Sequence, residues 1–143
     1  MGQVVAISIN EVRAQLKIPV PQVMAVTNVG LEGDGHRGDW GRQVTCLRYE
    51  SLLQSNEEND LRMGPGDFAE NILIKEMDFS KAVAGSRLKL GEQVILEVSQ
   101  VGKEDHPSVV LRNFGVSLLP KEGLFCRVIQ GGLIKVGDSA EVM

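Results

Sequence analysis

Apolar positions along this chain come in short bursts, most of them too brief for an amphipathic helix. Val4-Val5-Ala6-Ile7-Ser8-Ile9 and Val23-Met24-Ala25-Val26 are partly β-branched runs separated by Pro19 and Pro21. Gln43-Val44-Thr45-Cys46-Leu47 and Asn71-Ile72-Leu73-Ile74 read the same way. Ser86-Arg87-Leu88-Lys89-Leu90 alternates cleanly between Gly85 and Gly91, and Gln93 to Ser99 is half alternating and rich in β-branched residues. Leu124 to Gln130 predicts a further strand. The end of the chain reads as one hairpin, Leu133-Ile134-Lys135-Val136 and Ala140-Glu141-Val142 about Gly137-Asp138. Arg48 to Ser55 carries Tyr49, Leu52 and Leu53 at helical spacing and predicts a short helix, and Asn56 to Asn59 reads as a polar break.

Roughly eight or nine short strands with turn signals between them predict an all-β to β-rich, barrel-like fold with a few short helices. No composition shift or long repeat divides the 143 residues, so residues 1–143 are expected to form a single domain. Hydrophobic content of 43% and charged content of 24% fit an ordinary globular core. A net charge of −4 gives no reason to expect nucleic acid or an anionic membrane surface as a partner. No apolar run approaches the ~20 residues needed to span a bilayer, and the N-terminal residues carry no secretion pattern. Gly2 is followed by Ala6, which fails the myristoylation pattern. Cys46 and Cys126 are therefore expected as reduced thiols in a cytoplasmic protein.

Chemistry concentrates in residues 30–45, where five glycines leave little side-chain volume for a core. Between them stand Glu32, Asp34, His36, Arg37, Asp39, Trp40 and Arg42, including the sole tryptophan and one of two histidines. A glycine-rich loop carrying polar groups at this density suits binding better than packing. At i and i+2, Asp34 and His36 point the same way in extended chain. They can share a ligand or a water, with His36 as a donor to an anion or as an acid/base group. The alternative is that His36 caps the loop by bonding a backbone carbonyl. Trp40 reads equally as an aromatic wall or as a partner contact. Phe68, Phe79, Phe114 and Phe125 are expected in the core, with Lys121 and Glu122 in a solvated turn.

Taken with Pro65-Gly66-Asp67-Phe68-Ala69-Glu70-Asn71-Ile72 and Gly123-Leu124-Phe125-Cys126-Arg127-Val128-Ile129-Gln130-Gly131-Gly132, the loop resembles the MOSC domain, named for the C-terminal domain of molybdenum-cofactor sulfurases. The resemblance rests on four boxes in order and runs from about residue 28 to 138. It implies a β-rich barrel and a molybdenum-cofactor (molybdopterin) site. Arg42 with Gln43, and Arg37 as a second cation, are then candidates for a pterin phosphate, since a guanidinium fork matches phosphate oxygens. The competing role of Arg42 is a surface pair with Asp34, Asp39 or Glu50. Glu70 and Asn71, at a strand entry, offer a carboxylate and an amide to the edge of a pterin ring, or else tie two loops together through backbone amides.

Lys103-Glu104-Asp105-His106 departs from the family pattern, which places a cysteine where Asp105 stands. A carboxylate cannot carry a persulfide, so sulfur relay at Asp105 is excluded, while a hard oxygen donor remains compatible with oxidised molybdenum. Asp105 is accordingly the candidate metal ligand and, with His106 as an acid/base group, the candidate catalytic pair. Lys103 joins the cofactor-binding set. Cys46 and Cys126, inside strands, are expected in the core. The sequence thus supports a cofactor-binding module that holds, delivers or senses molybdopterin, working with a molybdenum-cofactor biosynthesis protein or a molybdoenzyme. The alternatives are a reductase of N-hydroxylated substrates using Asp105 at the metal and an external redox partner, and an interaction domain that has lost the site. The pyridoxal-phosphate half of the full sulfurases is not in this chain.

Overall fold

The computed structural model describes residues 2–104 and 107–143. Eleven strands and three short helices follow the chain among these residues. Strands β1 (Gly2–Ile9), β5 (Val44–Arg48), β6 (Ile72–Lys75), β7 (Arg87–Leu90), β8 (Val94–Val101), β9 (Leu124–Gln130) and β11 (Ser139–Val142) close into a seven-stranded barrel. The order is β11-β7-β8-β9-β5-β6-β1, and β1 returns to β11 through Gly2 opposite Ala140. Closure removes the free edges that a sheet of this size would otherwise expose. Strand β2 (Ile18–Val20) pairs with the outer half of β1. There Pro19 sits on an edge, where its missing N–H costs the ladder nothing. A small sheet, β10 (Gly132–Lys135), β3 (Gln22–Val26) and β4 (Gly30–Leu31), lies beside the barrel.

Period-two patterning sorts the apolar residues into two cores. Val44, Cys46, Ile72, Ile74, Leu88, Leu90, Leu96, Leu124, Cys126 and Val128 belong to one buried cluster with the small sheet's Val23, Ala25, Leu31 and Ile134. Their neighbours Leu47, Leu73 and Phe125 face the other way, packing with Leu52, Met63, Phe68, Val110 and Leu119. Strands β5 and β6 therefore carry apolar side chains on both faces. They run parallel, with Cys46 opposite Ile72, and α1 (Tyr49–Asn59) makes the crossover between them. Both cysteines are fully buried, and the adjacent Cys46 thiol together with burial pushes the Cys126 thiol up. Neither sulfur is exposed to solvent.

Three local expectations are corrected. The last two strands do not form a hairpin. Gly137 N–H donates to Val4 O and Asp138 O accepts from Val4 N, which splays the segments apart. Strand β10 then pairs with β3, burying Ile134, while β11 pairs with β1 and β7 and seals the barrel. Residues 56–59 continue α1 instead of breaking it. Asn56 bonds Met63 N and O with its side chain, and the left-handed Asp60 caps the helix through its N–H to Asn56 O. Lys121 and Glu122 end a short helix, α3 (Leu119–Glu122), which follows α2 (Val109–Phe114). Helix α2 starts at Ser108, whose Oγ accepts from Leu111 N, and stops at the left-handed Gly115. Phe68 and Phe125 are buried, and Phe79 and Phe114 pack partly buried against the two cores. No helix among the described residues is long and apolar enough to cross a membrane.

Glycine is obligatory at one junction of this frame. Gly66 has φ +86°, and a Cβ there would collide with the carbonyl of Lys17. Gly66→Ala is expected to lose at least ~2 kcal/mol in urea unfolding, since left-handed backbone alone costs ~1–2 kcal/mol.

Candidate functional site

The glycine loop leaves β4 and returns to the barrel at β5, and its first turn folds against residues 10–13. Gly35 N–H donates to Asn10 O and Arg13 Nε donates to Gly35 O, at 2.8 Å each. A Cβ on Gly35 would stand 2.5 Å from Glu11 O, so only glycine permits this approach. The result turns Asp34 inward. Its carboxylate is inaccessible to solvent and accepts from Lys17 Nζ at 2.7 Å, from Asn10 N at 3.1 Å and from His36 N at 3.2 Å. Burial alone would raise the Asp34 carboxyl. The His36 and Lys17 contacts outweigh it and hold the group well below the usual carboxylate range.

Lys17 was not among the residues singled out from sequence, yet its side chain is only 1% exposed. A buried ammonium requires a partner, and Lys17 has two. Beyond Asp34, its Nζ lies 3.1 Å from His36 Nδ1. The His36 ring stands parallel to Trp40 with centroids 6.1 Å apart, and Trp40 Nε1 donates to His36 O at 2.6 Å. Arg13 lies over the other partner of this stack, its guanidinium carbon 4.6 Å from the Trp40 ring centre. Trp40 therefore stands as an aromatic wall, and His36 is fixed from both ends.

Arg13, His36 and Trp40 line one side of a cavity of about 290 Å³. Its floor is the outward-facing cross-strand pair Thr45 and Phe125 of β5 and β9. Its far wall is apolar, from Phe68, Val109, Val110 and Leu119. Arg42 and Lys103 sit over the Phe125 ring, 5.3 and 5.7 Å from its centre. Burial, then the neighbouring Arg42 charge, pulls the Lys103 ammonium below its ordinary pKa. Arg42 Nε is steadied by Gln100 Oε1 at 3.4 Å. Arg13, Arg42 and Lys103 thus share a cavity whose described lining contains no aspartate or glutamate. In a chain of net charge −4 this is a local reversal of sign, suited to an anion with a flat or apolar body. A more open depression of about 770 Å³ lies between α1 and the α2–α3 segment, and its charged lining, Glu58, Lys121 and Glu122, is mixed in sign.

Of the sequence-predicted set, the structure brings His36, Arg42 and Lys103 together at the cavity and places Asp34, Arg37, Gln43, Glu70 and Asn71 outside its lining. Arg37 donates to Asp34 O at 2.8 Å and is not part of the lining. Gln43 is buried, donating to Gly38 O and accepting from Val128 N, which pins the loop to β9. Asn71 is buried between strands: Oδ1 accepts from Thr45 N and Nδ2 donates to Ser8 O. Glu70 accepts from Gly66 N and Phe68 N. In this structure Asp34, Arg37, Gln43, Glu70 and Asn71 bond the loops around the cavity, which for Glu70 and Asn71 is the loop-tying role. The reason is shared: each satisfies backbone or buried polar groups that would otherwise be stranded. Asp105 and His106 lie outside the described residues, and no group of three or more metal-competent side chains occurs among those described. Arg13 and Lys17 escaped sequence reading because they precede the glycine loop in a segment with no motif of its own.

The structure is thus a closed β-barrel domain with a cationic, aromatic-walled cavity on the outer face of β5 and β9. The MOSC domain profile matches residues 33–141. The chain belongs to the MOSC family, which is associated with binding of the molybdenum cofactor. Solved structures share the fold. YuaD from Bacillus subtilis is 17% identical with a TM-score of 0.78, covering 98% of this chain and 94% of that one. YiiM from Geobacillus stearothermophilus is 18% identical at 0.74, covering 100% and 75%, and YiiM from Escherichia coli is 22% identical at 0.67, covering 99% and 69%. No curated protein sequence matches the chain at a significant level.

Two consequences are measurable. Asp34→Asn leaves the Lys17 charge buried without its counter-ion and is expected to cost ~3–5 kcal/mol in chemical denaturation. Asp39→Asn removes only the Arg127 bridge, in which Asp39 is 86% exposed, and should cost under ~1 kcal/mol. Glu70 is the second case, because burial, against the Gly66 and Phe68 amides, pushes its carboxyl up from 4.5 to about 7. The folded state then holds this proton more tightly than the unfolded chain. The associated stability is full below pH 4.5 and is lost as pH rises through about 7. Denaturation between pH 4.5 and 8 should show this decline. In Glu70→Gln the slope should vanish, with ~1–3 kcal/mol lost where an amide NH₂ meets a backbone donor.

Proposed function

We propose that this protein is a molybdenum-cofactor-binding module that holds, delivers or senses the cofactor in its anionic, pterin-bearing form. The observation that carries this reading is the cavity's charge pattern: three cations and no described acid beside an aromatic wall. Arg42 and Lys103, with Arg13 across the cavity, would hold the phosphate. His36 would donate to an oxygen or ring acceptor, and Trp40 or Phe125 would face the flat ring. When bound, the cofactor supplies a redox-active molybdenum centre.

The donor set favours binding over redox catalysis. A thiolate ligand would have to come from Cys46 or Cys126, and both are buried in the barrel core. Sulfur transfer from this cavity therefore has no carrier in the chain. In the module reading the partner is a molybdenum-cofactor biosynthesis protein or a molybdoenzyme that gives or receives the cofactor. The reductase reading depends on Asp105 as the metal ligand and on an external redox partner.

Expression in a host that makes molybdopterin, followed by anaerobic purification, tests the proposal through oxidised-pterin fluorescence and molybdenum mass spectrometry. Pterin near one per chain is expected, and its absence from folded protein would overturn both cofactor readings in favour of an interaction domain. Arg42→Ala should weaken pterin retention about 10-fold or more, the worth of one charge-assisted hydrogen bond. Reductase activity appearing only in Asp105→Cys would support the module; activity in the natural chain would favour the enzyme.

A further inference from the structure

The buried Lys17 has a consequence for His36 that reaches the cavity. An ammonium only donates hydrogen bonds. With Lys17 Nζ 3.1 Å from His36 Nδ1, that nitrogen must be the acceptor, so the ring proton resides on Nε2. The competing arrangement has Nδ1–H donating to Asp34 Oδ2. That separation is 3.6 Å, outside hydrogen-bonding range, and it would aim an N–H at the ammonium. Asp34 Oδ2 is already engaged by His36 N at 3.2 Å, and Oδ1 by Lys17 and Asn10 N. The Nδ1 edge of the ring faces the buried pair, and the His36 side chain as a whole is 28% exposed. His36 lines the cavity, and with Nδ1 engaged by the buried pair Nε2 is the ring nitrogen left to face it.

We infer that Lys17 is a positioning residue that fixes the tautomer of His36, so that the cavity meets its ligand with an Nε2–H donor and never with a bare ring nitrogen. Asp34 holds Lys17 in place, Trp40 bonds the His36 carbonyl, and its ring lies parallel to the imidazole. A site built this way selects acceptor groups at that position, such as a carbonyl or phosphoryl oxygen or an unprotonated ring nitrogen, over donors such as an exocyclic amine. This specificity rests on the proposed cofactor reading, because it concerns the same cavity. The tautomer itself does not.

Two-bond ¹H–¹⁵N correlation spectra of the imidazoles, recorded on the natural chain at about pH 8.5, above the ordinary histidine range, decide the matter without any ligand. The chain has two histidines, and His106→Gln assigns the signals. The expected pattern for His36 is a protonated Nε2 and a bare Nδ1. In Lys17→Met the Asp34 carboxylate is left facing Nδ1, and the proton is expected to move to Nδ1. A protonated Nδ1 in the natural chain would overturn the inference, as would an unchanged Nε2–H tautomer in a folded Lys17→Met variant. Should that variant not fold, the natural chain's spectrum still decides. Pterin retention can fail while the tautomer stands, which separates this inference from the proposed function.

Discussion

The buried ion pair between Lys17 and Asp34 is the contact on which the arrangement of this site depends. Two charges withdrawn from water carry a desolvation penalty of several kcal/mol each. They persist because each is saturated: Asp34 by two backbone amides and an ammonium, Lys17 by a carboxylate and an imidazole. Such a pair is weak evidence for stability but strong evidence for specification, because few loop conformations satisfy every partner at once. It fixes the path of the glycine loop, the orientation of His36 and, through Trp40, one wall of the cavity.

The pair is continuous with a larger hydrogen-bonded frame. Lys17 N–H donates to Gly66 O, and Gly66 N–H donates to Glu70. Asn71 then joins Ser8 of β1 to Thr45 of β5 at the point where β6 enters between them. Three segments distant in sequence, around residues 10–17, 30–45 and 65–71, are thereby locked against one rim of the barrel. The polar residues that look most like ligands in the sequence are largely the ones that hold this frame. The residues left facing the cavity are Arg13, Arg42, Lys103 and His36, of which Arg13 and His36 also brace the loop through Gly35 O and the buried pair.

The barrel contributes a different kind of constraint. Alternation along β5 and β9 sends Cys46, Cys126, Leu124 and Val128 inward and leaves Thr45 and Phe125 on the outer face. The cavity is therefore outside the barrel, roofed by the α2–α3 segment, and its chemistry is insulated from both cysteines. Cationic side chains over Phe125 gain ring attraction and remain available to an anion, since their described surroundings offer little acidic competition.

Local pattern settled a good deal. The nine strands read from short β-branched runs and local alternation lie where the barrel and its small sheet are, and the four-box order identified the family, because both signals are written in neighbouring residues. The short run at residues 18–20, the hairpin at the chain's end and the extent of α1 were not legible. Pairing of β10 with β3, and capping by Asn56, depend on partners far away or on one side-chain bond. The glycine loop announced a site, but the division of labour within it did not follow from composition. Whether Asp34, Gln43, Glu70 and Asn71 face a ligand or a backbone amide is decided by which groups the fold buries beside them. Lys17 and Arg13 show the converse, since nothing near them in sequence marks them. Sequence by itself determined nine of the strands, the start of α1 and the family, through local runs and motif. Only the tertiary structure decided which polar side chains must satisfy buried partners and which remain free to meet a ligand.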